Sequence, residues 1–383
     1  MDELVFTLSE RSFCHVCCFF FFRREPVLCI AGAAALCTAF WVPPSWDYLG
    51  YLDWRVLALL FCLMAVVSGL QQGGLFARLS QQAILRAKSV RGLCLLLVSL
   101  CFFSSMLVTN DVALLTFVPF AALVLGQAGL GRHLLYVVVL QTVAANLGSM
   151  ATPVGNPQNL YLFSFYRMSP AQFFQAALPV AALSLVLLFL LCLPIPAAPL
   201  SIRPAKQQPA PLPRRLLGHG LLFLCCLCTV LHWVPWPATL AAVLLFLLLF
   251  DRPALRQVDY GLLLTFVFFF LFVGNLGCIE PVRQWLSGLL GGRELIVSLL
   301  CSQVISNVPA AVLLSGFTSQ GTGLLLGVNI GGLGTLVASL ASLISFRLYA
   351  KTPEAKAGRY LGVFTLVNGG LLLFLLPFGL LLA

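Results

Sequence analysis

Residues 105–119 read SMLVTNDVALLTFVP and residues 302–314 read SQVISNVPAAVLL, two apolar runs interrupted near the middle by a hydroxyl residue and an asparagine. A polar break inside an apolar run is tolerated in a bilayer only where the backbone lines protein or a water-filled cavity. An offset of 197 residues aligns Asn110 with Asn307. We therefore predict two helical hairpins that dip partway into a membrane, with their tips at these breaks.

The composition of the chain agrees with a membrane location. Of its 383 residues, 61% are hydrophobic and only 9% are charged, whereas soluble domains are about 45–50% apolar and about 25% charged. These values exclude a soluble globule, a disordered chain and a nucleic-acid-binding protein. The remaining class is a polytopic α-helical protein in a lipid bilayer, because several apolar runs approach the roughly 20 residues that cross one.

Breaker residues divide the rest of the chain into further predicted helices. The predicted spans cover 27–43, 54–72, 172–193, 218–234, 236–250, 259–276 and 361–382, while 133–168 and 322–349 are apolar but interrupted by Gly, Pro, Asn, Ser and Thr. We expect the two interrupted regions to be discontinuous helices. The predicted organisation is an N-terminal interfacial segment (1–26), a first repeat (27–193), a Pro-rich cytoplasmic linker (194–217) and a second repeat (218–383).

A second duplicated motif supports the repeat. The stretch NLGS from Asn146, followed by Thr152, matches NIGG from Asn329, followed by Thr335, at an offset of 183 residues. Placing the N-terminus in the cytoplasm puts most of the 22 Lys and Arg residues in cytoplasmic loops, as the positive-inside rule requires. In this topology the span 236–250 inverts the second half. The predicted fold is therefore an all-α polytopic membrane protein with two inverted repeats, re-entrant helical hairpins and discontinuous helices, an architecture typical of secondary transporters.

The polar breaks supply the candidate binding groups. Hydroxyl, amide and freed carbonyl oxygens can replace water around a small hard cation, and exposed helix N-termini favour anions. The predicted Na⁺ ligands are Ser105, Thr109 and Asn110 at the first tip and Ser302, Ser306 and Asn307 at the second. The predicted contributors from the interrupted helices are Asn146, Gly148, Ser149, Thr152, Asn156, Asn329, Gly331, Gly332 and Thr335.

Asp111 is the one acid among twelve that lies well inside an apolar region, and its repeat counterpart is Val308. An ionisable residue at this depth is a candidate functional residue. It either binds the coupling cation, carries a proton, or caps the helix that follows. With no His or second acid beside it, it gives no basis for an enzyme, and the sequence predicts no cofactor beyond a coupling ion, Na⁺ or H⁺.

The stretches 109–119, 146–162, 302–314 and 329–345 resemble the ion-transporter superfamily that contains citrate and dicarboxylate carriers, arsenite permeases and Na⁺/H⁺ antiporters. The similarity is strongest to its bacterial inner-membrane permease branch. The resemblance implies a multi-pass inner-membrane protein whose hairpin tips bind Na⁺ and substrate carboxylates. Because dimers occur among relatives, it also implies a homodimer.

The divalent anion–sodium symporters of this superfamily carry Ser-Asn-Thr at the hairpin tips. Here the final Thr is replaced by Asp111 at the first tip and by Val308 at the second, while the Asn and the preceding hydroxyl are present at both. We expect a secondary active transporter of a small anion, citrate- or dicarboxylate-like or an inorganic oxyanion, working by cation-coupled alternating access. The alternatives are a Na⁺/H⁺ antiporter or arsenite-type efflux permease and, in a different class, an ion channel.

Overall fold

The computed structural model describes residues 25–75, 78, 87–200 and 214–383, and its regular elements there are helices. The helices are α1 (Pro26–Ala39), α2 (Tyr48–Tyr51), α3 (Trp54–Gln72), α4 (Val90–Val108), α5 (Asn110–Gln127), α6 (Leu134–Ser149), α7 (Pro157–Phe165), α8 (Pro170–Cys192), α9 (Arg214–Val230), α10 (Trp236–Phe250), α11 (Arg252–Leu255), α12 (Tyr260–Cys278), α13 (Glu280–Leu290), α14 (Glu294–Ile305), α15 (Asn307–Ser315), α16 (Gly321–Ile330), α17 (Leu340–Ala350) and α18 (Ala357–Leu382). A 3₁₀ turn, Gly131–His133, precedes α6.

Within the described residues, six helices are long and apolar enough to cross a membrane: α3, α4, α5, α8, α12 and α18. Two of them begin in the same way. The Asp53 carboxylate accepts a hydrogen bond from the Val56 backbone N–H at 3.0 Å, and Asp259 accepts one from Leu262 at 2.8 Å. Each aspartate satisfies a backbone donor that the first turn of its helix leaves free. The helices α3 and α12 are thus equivalent elements of the two repeats.

Both predicted hairpins are present, and their tips have the same backbone conformation. Thr109 alone joins α4 to α5, with φ 72° and ψ 151°, and Ser306 alone joins α14 to α15, with φ 75° and ψ 158°. Positive φ is rare for residues other than glycine. In each hairpin the next residue is an asparagine whose side-chain oxygen accepts the following backbone N–H. The repeat predicted from Asn110 and Asn307 is therefore a structural repeat.

The two hairpins enter from opposite faces, as the contacts of α8 show. Beside the start of α8, Tyr166 donates a hydrogen bond to the Thr318 carbonyl at the base of the second hairpin, at 3.0 Å. Just beyond its end, the Ile195 carbonyl accepts a hydrogen bond from Arg91 at the base of the first hairpin, at 2.7 Å. The 23 residues of α8 span about 34 Å. The bases of the hairpins therefore lie at opposite ends of a membrane-spanning helix, which confirms the inverted arrangement.

The two discontinuous helices cross the hairpins closely. The chain leaves helical structure between α6 and α7, and again between α16 and α17. A Cβ atom on Gly148 would lie 2.3 Å from the Phe102 carbonyl oxygen, and one on Gly331 would lie 2.9 Å from the Leu299 Cα. Phe102 and Leu299 are themselves matched by the 197-residue offset. Glycine is required at both crossings because a side chain would collide with the neighbouring backbone.

The sequence did not predict one of the helices, and it predicted a first hairpin that dips only partway into the membrane. The sequence predicts no element over 277–293, yet the amphipathic helix α13 lies there and meets α14 at 113°. This helix is too short and too polar to be predicted from the sequence as a membrane span. The first hairpin has nearly the predicted bounds, 90–127 where the sequence predicts about 92–126, but α4 and α5 are each long enough to cross a bilayer rather than to dip partway into it.

The two predicted segments outside the repeats are described only in part. Residues 1–24 of the N-terminal interfacial segment and 201–213 of the linker lie outside the described residues. The start of the linker packs beside the first hairpin. There the Leu200 backbone N–H donates to the Lys88 carbonyl at 3.1 Å, and Val90 donates to Ala198 at 3.0 Å. The linker therefore starts on the face from which the first hairpin enters.

Candidate functional site

The first hairpin tip contacts the first discontinuous helix through two asparagines. The Asn110 amide donates to the side-chain oxygen of Asn146 at 3.1 Å. Asn110, Asn146 and the second-tip residue Asn307 are each only 4% exposed. Buried amides are kept where their hydrogen-bonding groups find partners. The tip and the helix break are therefore one polar site in an apolar interior.

The two repeats hold each other through reciprocal contacts of Asn146 and Asn329, which are matched by the 183-residue offset. Asn146 accepts a hydrogen bond from Ser339 at 3.0 Å and donates one to Ser342 at 3.3 Å. Asn329 accepts one from Asn156 at 3.1 Å and donates one to Asn159 at 2.6 Å. The same offset matches Asn156 with Ser339 and Asn159 with Ser342. Each asparagine thus reaches from one repeat to the start of the second half-helix in the other.

Asn159, Ser339 and Ser342 were not among the predicted site residues. All three lie in the motifs that carry the repeat, but nothing in their local sequence sets them apart from residues that pack helices. The signal that could have found them is the offset itself, because a partner of one repeat predicts a partner at the equivalent position of the other.

Thr152 and Thr335 fasten the helix breaks to the hairpins in the same way. The Thr152 hydroxyl donates to the Met106 carbonyl, and the Thr335 hydroxyl donates to the Gln303 carbonyl at 3.1 Å. Met106 and Gln303 are matched by the 197-residue offset. These two predicted residues therefore join each break to the helix that ends at its hairpin tip.

Gln303 is a further site residue that was not predicted from the sequence. Its amide nitrogen donates to the carbonyls of Gly331 and Leu333 at 2.6 and 2.9 Å, and its oxygen accepts the Thr335 N–H at 3.0 Å. Three backbone groups freed by the second helix break are therefore satisfied by one side chain. The first repeat has Met106 at this position, so this support is specific to the second break.

Ser105 and Ser302 lie at the helix crossings, fully buried. The Ser105 hydroxyl donates to the Phe102 carbonyl at 2.8 Å, and the Ser302 hydroxyl donates to Ser298 at 2.7 Å. Both hydroxyls bond to carbonyls of their own helix and pack against Gly148 and Gly331. The hydroxyl protons of Ser105 and Ser302 are therefore both donated within their own helices.

The remaining predicted residues complete the polar centre. Ser149 accepts a hydrogen bond from Asn156 at 3.1 Å, and the Asn156 oxygen in turn caps α7 through the Asn159 N–H at 2.8 Å. At the second tip, Ser306 and the Asn307 backbone N–H both donate to the Ala338 carbonyl, at 3.4 and 3.0 Å. A Cβ atom on Gly332 would lie 3.3 Å from the Asn307 amide nitrogen.

A cavity of about 360 Å³ opens beside the first tip. It lies toward the face of the protein at which Asp259 begins α12, which we call the Asp259 side. Its polar lining residues are Ser68, Gln71, Thr109, Asp111, Asn156, Gln257 and Asp259. The Asp111 Oδ1 atom is buried and has no hydrogen-bond partner among the described residues. The cavity therefore brings an unpaired carboxylate oxygen to the hairpin tip. Ser68, Gln71 and Gln257 were not predicted, because polar residues at helix ends are ordinary in membrane proteins.

An inverted pair of hairpins, two broken helices and a polar centre where they meet define a membrane transporter. The chain belongs to the citrate transporter family, which matches residues 5–321.

Two relatives cover most of the chain. It is 30% identical over 312 residues to the uncharacterized transporter MJ0456 of Methanocaldococcus jannaschii, a match that spans 81% of this chain and 84% of the relative. It is 31% identical over 313 residues to the inner membrane protein YbiR of Escherichia coli, which spans 80% and 82%.

Two other matches are more distant. The silicon efflux transporter LSI3 of rice is 31% identical over 173 residues, 44% of this chain and 35% of that protein. Among solved structures, the YdaH transporter of Alcanivorax borkumensis superposes with a TM-score of 0.58 at 14% identity, covering 88% of this chain and 87% of that one. The latter similarity concerns the fold alone.

Proposed function

We propose that this protein is a secondary active transporter that moves a small anion by alternating access, coupled to Na⁺ or H⁺. The observation that supports this most directly is the reciprocal network of Asn146 and Asn329, which ties two broken helices to the opposite repeat. Broken helices present free backbone groups in a site that lipid cannot reach. Such groups bind solutes in the interior of a membrane protein.

The chemistry of the site suits an anion with a neighbouring cation. Helices α5 and α15 begin at the tip asparagines, α7 begins at Asn156 and α17 begins at Ser339, so four helix N-termini lie at the polar centre. Their free N–H groups favour carboxylate or oxyanion groups. The cavity has no Lys or Arg among its described lining residues. The negative charge is then met by helix ends and by a co-bound cation rather than by basic side chains.

We place the protein in the bacterial inner membrane with a cytoplasmic N-terminus. The Asp259 side carries Arg252 and Arg256 in the short segment before α12, and basic loops mark the cytoplasmic face. The cavity at Asp111 would accordingly open to the cytoplasm. Assembly as a homodimer is part of the proposal and rests on the family resemblance.

A second candidate is efflux of an uncharged hydroxylated oxyacid. The two acids Asp111 and Asp259 line the cavity together with the amides of Gln71 and Gln257. An ionised acid repels an anion, whereas amides donate and accept hydrogen bonds with neutral hydroxyl groups. Relatives named as a silicon efflux transporter and a putative arsB transporter support this alternative. Na⁺/H⁺ antiport without an additional solute is the remaining possibility within transport.

Uptake into proteoliposomes tests these candidates. The purified full-length protein is supplied with labelled citrate, dicarboxylates, phosphate, arsenite and silicic acid, under separately imposed Na⁺ and proton gradients. We expect saturable uptake of one class, accelerated by one gradient. Uptake indifferent to both gradients refutes the coupling, and conductance that does not saturate indicates a channel.

Two tip variants test the site itself. Asn110→Ala and Asn307→Ala should each abolish uptake while leaving expression and folding intact. Asn368→Ala is the matched control, because Asn368 is buried but donates to Phe364 of its own helix. Normal uptake by both tip variants would refute the site assignment.

A further inference from the structure

A second cavity, of about 530 Å³, lies on the side of Asp53, opposite the cavity at Asp111. It is lined by the segment before α3, by the end of α12, and by residues of α7 and α15, including Tyr51, Asp53, Tyr161, Phe270 and Val312. The first cavity is lined by α3, the start of α12, α5 and α7. The two cavities therefore use the same pair of helices, α3 and α12, from opposite ends.

The two cavities are counterparts under the inverted repeat. An offset of 206 residues, which aligns Asp53 with Asp259, also aligns residues that line one cavity with residues that line the other. These pairs are Met64 with Phe270, Val67 with Val273, Ser68 with Gly274, Gln71 with Gly277 and Tyr51 with Gln257. The 197-residue offset of the hairpins aligns Leu115 with Val312. The 183-residue offset of the discontinuous helices aligns Tyr161 with Ile344. The two cavities are thus equivalent positions in the two inverted repeats.

The counterparts differ in polarity. On the Asp259 side, Ser68 donates to the Gln257 oxygen at 2.9 Å, and Gln71 donates to Thr116 at 3.2 Å. The second cavity has Gly274 and Gly277 where the first has Ser68 and Gln71. At these two positions hydrogen-bonding side chains line the first cavity and glycines line the second, whose polar lining residues are Tyr51, Asp53 and Tyr161.

The two hairpin tips also differ in polarity, because only the first carries an ionisable side chain after its asparagine. The first tip places Asp111 in its cavity, whereas the second has Val308 at the equivalent position, 7% exposed. The Asp111 Oδ1 atom is buried without a hydrogen-bond partner among the described residues. A buried carboxylate oxygen without a donor is costly unless a proton or a cation occupies it. At the other end of this cavity, Gln257 and Asp259 are exposed.

We propose that the cavity between Asp259 and Asp111 is the access route and binding site of a single monovalent coupling cation, H⁺ or Na⁺. Asp111 binds the cation, and Gln71, Ser68 and Gln257 form the polar wall along which it reaches the tip. The counterpart cavity on the Asp53 side serves the solute without a cation site of its own. This inference rests on the proposed cation coupling and assigns that coupling to one tip of the two.

The test measures cation binding in the absence of any transported solute. Purified full-length protein is titrated with Na⁺ while its thermal unfolding midpoint is followed, and its carboxyl infrared bands are recorded as pH is varied. A Na⁺ site raises the midpoint with Na⁺ concentration. A proton site at Asp111 gives a titrating carboxyl band that Asp111→Asn removes, while the bands of the other acids remain. Asp111 and Asp259 are the ionisable side chains among the described residues that line the cavity.

Asp111→Asn should weaken Na⁺ binding by about 10- to 100-fold, the effect of losing a charged partner, or remove the titrating band. Asp111→Glu, which keeps the carboxylate, should retain the signal and guards against a folding defect. Glu280→Gln is the control, because Glu280 is an exposed acid paired with Arg283 on α13. It should leave both signals unchanged.

The outcomes separate this inference from the proposed function. Na⁺ stabilisation or a titrating carboxyl that depends on Asp111 supports the cation site, even if none of the tested solutes is transported. If a solute is transported but neither the Na⁺-dependent unfolding midpoint nor the carboxyl band depends on Asp111, the cation site is overturned. The transporter proposal then remains intact. A signal that persists unchanged in Asp111→Asn also overturns the cation site.

Discussion

Asn146 and Asn329 make the same contact in opposite directions across the boundary between the repeats. The Asn146 oxygen accepts a hydrogen bond from Ser339 at 3.0 Å, and the Asn329 oxygen accepts one from Asn156 at 3.1 Å. Both asparagines are almost completely buried. Because a single 183-residue offset matches both the asparagines and their partners, the centre of the protein is a symmetric joint between two inverted units.

Replacing either joint asparagine should destabilise the protein. We expect Asn146→Ala and Asn329→Ala each to lower the free energy of unfolding by about 1–3 kcal/mol, because their buried partners lose hydrogen bonds. Both variants should also lose transport. The measurements are the thermal unfolding midpoint in detergent and uptake by proteoliposomes.

The matched control for this prediction is Asn368→Ala. Asn368 is fully buried on α18, but its amide donates only to the Phe364 carbonyl one turn earlier. Among the described residues it makes no hydrogen bond to another helix, so its loss should cost less stability and leave uptake in place. An equal loss of stability in all three variants would contradict the role of the joint.

The close helix crossings make Gly148 and Gly331 sensitive to a single methyl group. A Cβ atom would lie 2.3 Å from the Phe102 carbonyl oxygen at the first crossing and 2.9 Å from the Leu299 Cα at the second. We expect Gly148→Ala and Gly331→Ala each to cost about 1–3 kcal/mol, the usual effect of overpacking. Thermal unfolding measures this, with Gly126→Ala as control because a Cβ there meets no atom within 4 Å. A control variant as unstable as the other two would refute the argument.

The hairpin tips hold non-glycine residues in a conformation that favours glycine. Thr109 has φ 72° and Ser306 has φ 75°, which costs about 1–3 kcal/mol for such residues. Thr109→Gly and Ser306→Gly should therefore raise the unfolding midpoint while lowering the uptake rate, since the tip loses its hydroxyl and its rigidity. By contrast, Ala122→Gly in the interior of α5 should lower stability by about 0.5–1 kcal/mol. Lower stability in both tip variants would contradict the strain at the tips.

Gln303 should hold the second helix break in place. Gln303→Met, which introduces the residue that the first repeat has at this position, removes two hydrogen bonds to the carbonyls of Gly331 and Leu333. We expect faster hydrogen–deuterium exchange over residues 331–339 and slower uptake, because these backbone groups lose their partner. Gln284→Met is the control, since Gln284 bonds Glu280 on the surface. Unchanged exchange in Gln303→Met would remove Gln303 from this role.

The prediction of the hairpins and the breaks succeeded for a physical reason. In a chain that is 61% hydrophobic, a polar interruption such as Thr109-Asn110 is a strong signal, because lipid does not tolerate unpaired backbone groups. The helix α13 was missed because its apolar face is short and its other face is charged. That pattern does not separate a helix on a membrane surface from a loop.

The contacts of the site were less predictable than its residues. That Ser105 binds Na⁺ stays a prediction, but the sequence did not indicate that its hydroxyl donates to the Phe102 carbonyl beside Gly148. Spacing along a helix determines which side chains share a face. It does not determine which neighbouring element covers that face.

The sequence by itself determined the membrane environment, the two hairpins, the broken helices and their duplication. These features depend on local hydropathy and on repeats along the chain, which are properties of the sequence alone. Only the tertiary structure decided that Asn146 pairs with Ser339, that Gln303 supports the second break, and that Asp111 faces a cavity whose counterpart has glycines in place of Ser68 and Gln71. These relations depend on how elements nearly 200 residues apart pack together, and the contacts between packed helices are not encoded in the spacing of any one of them.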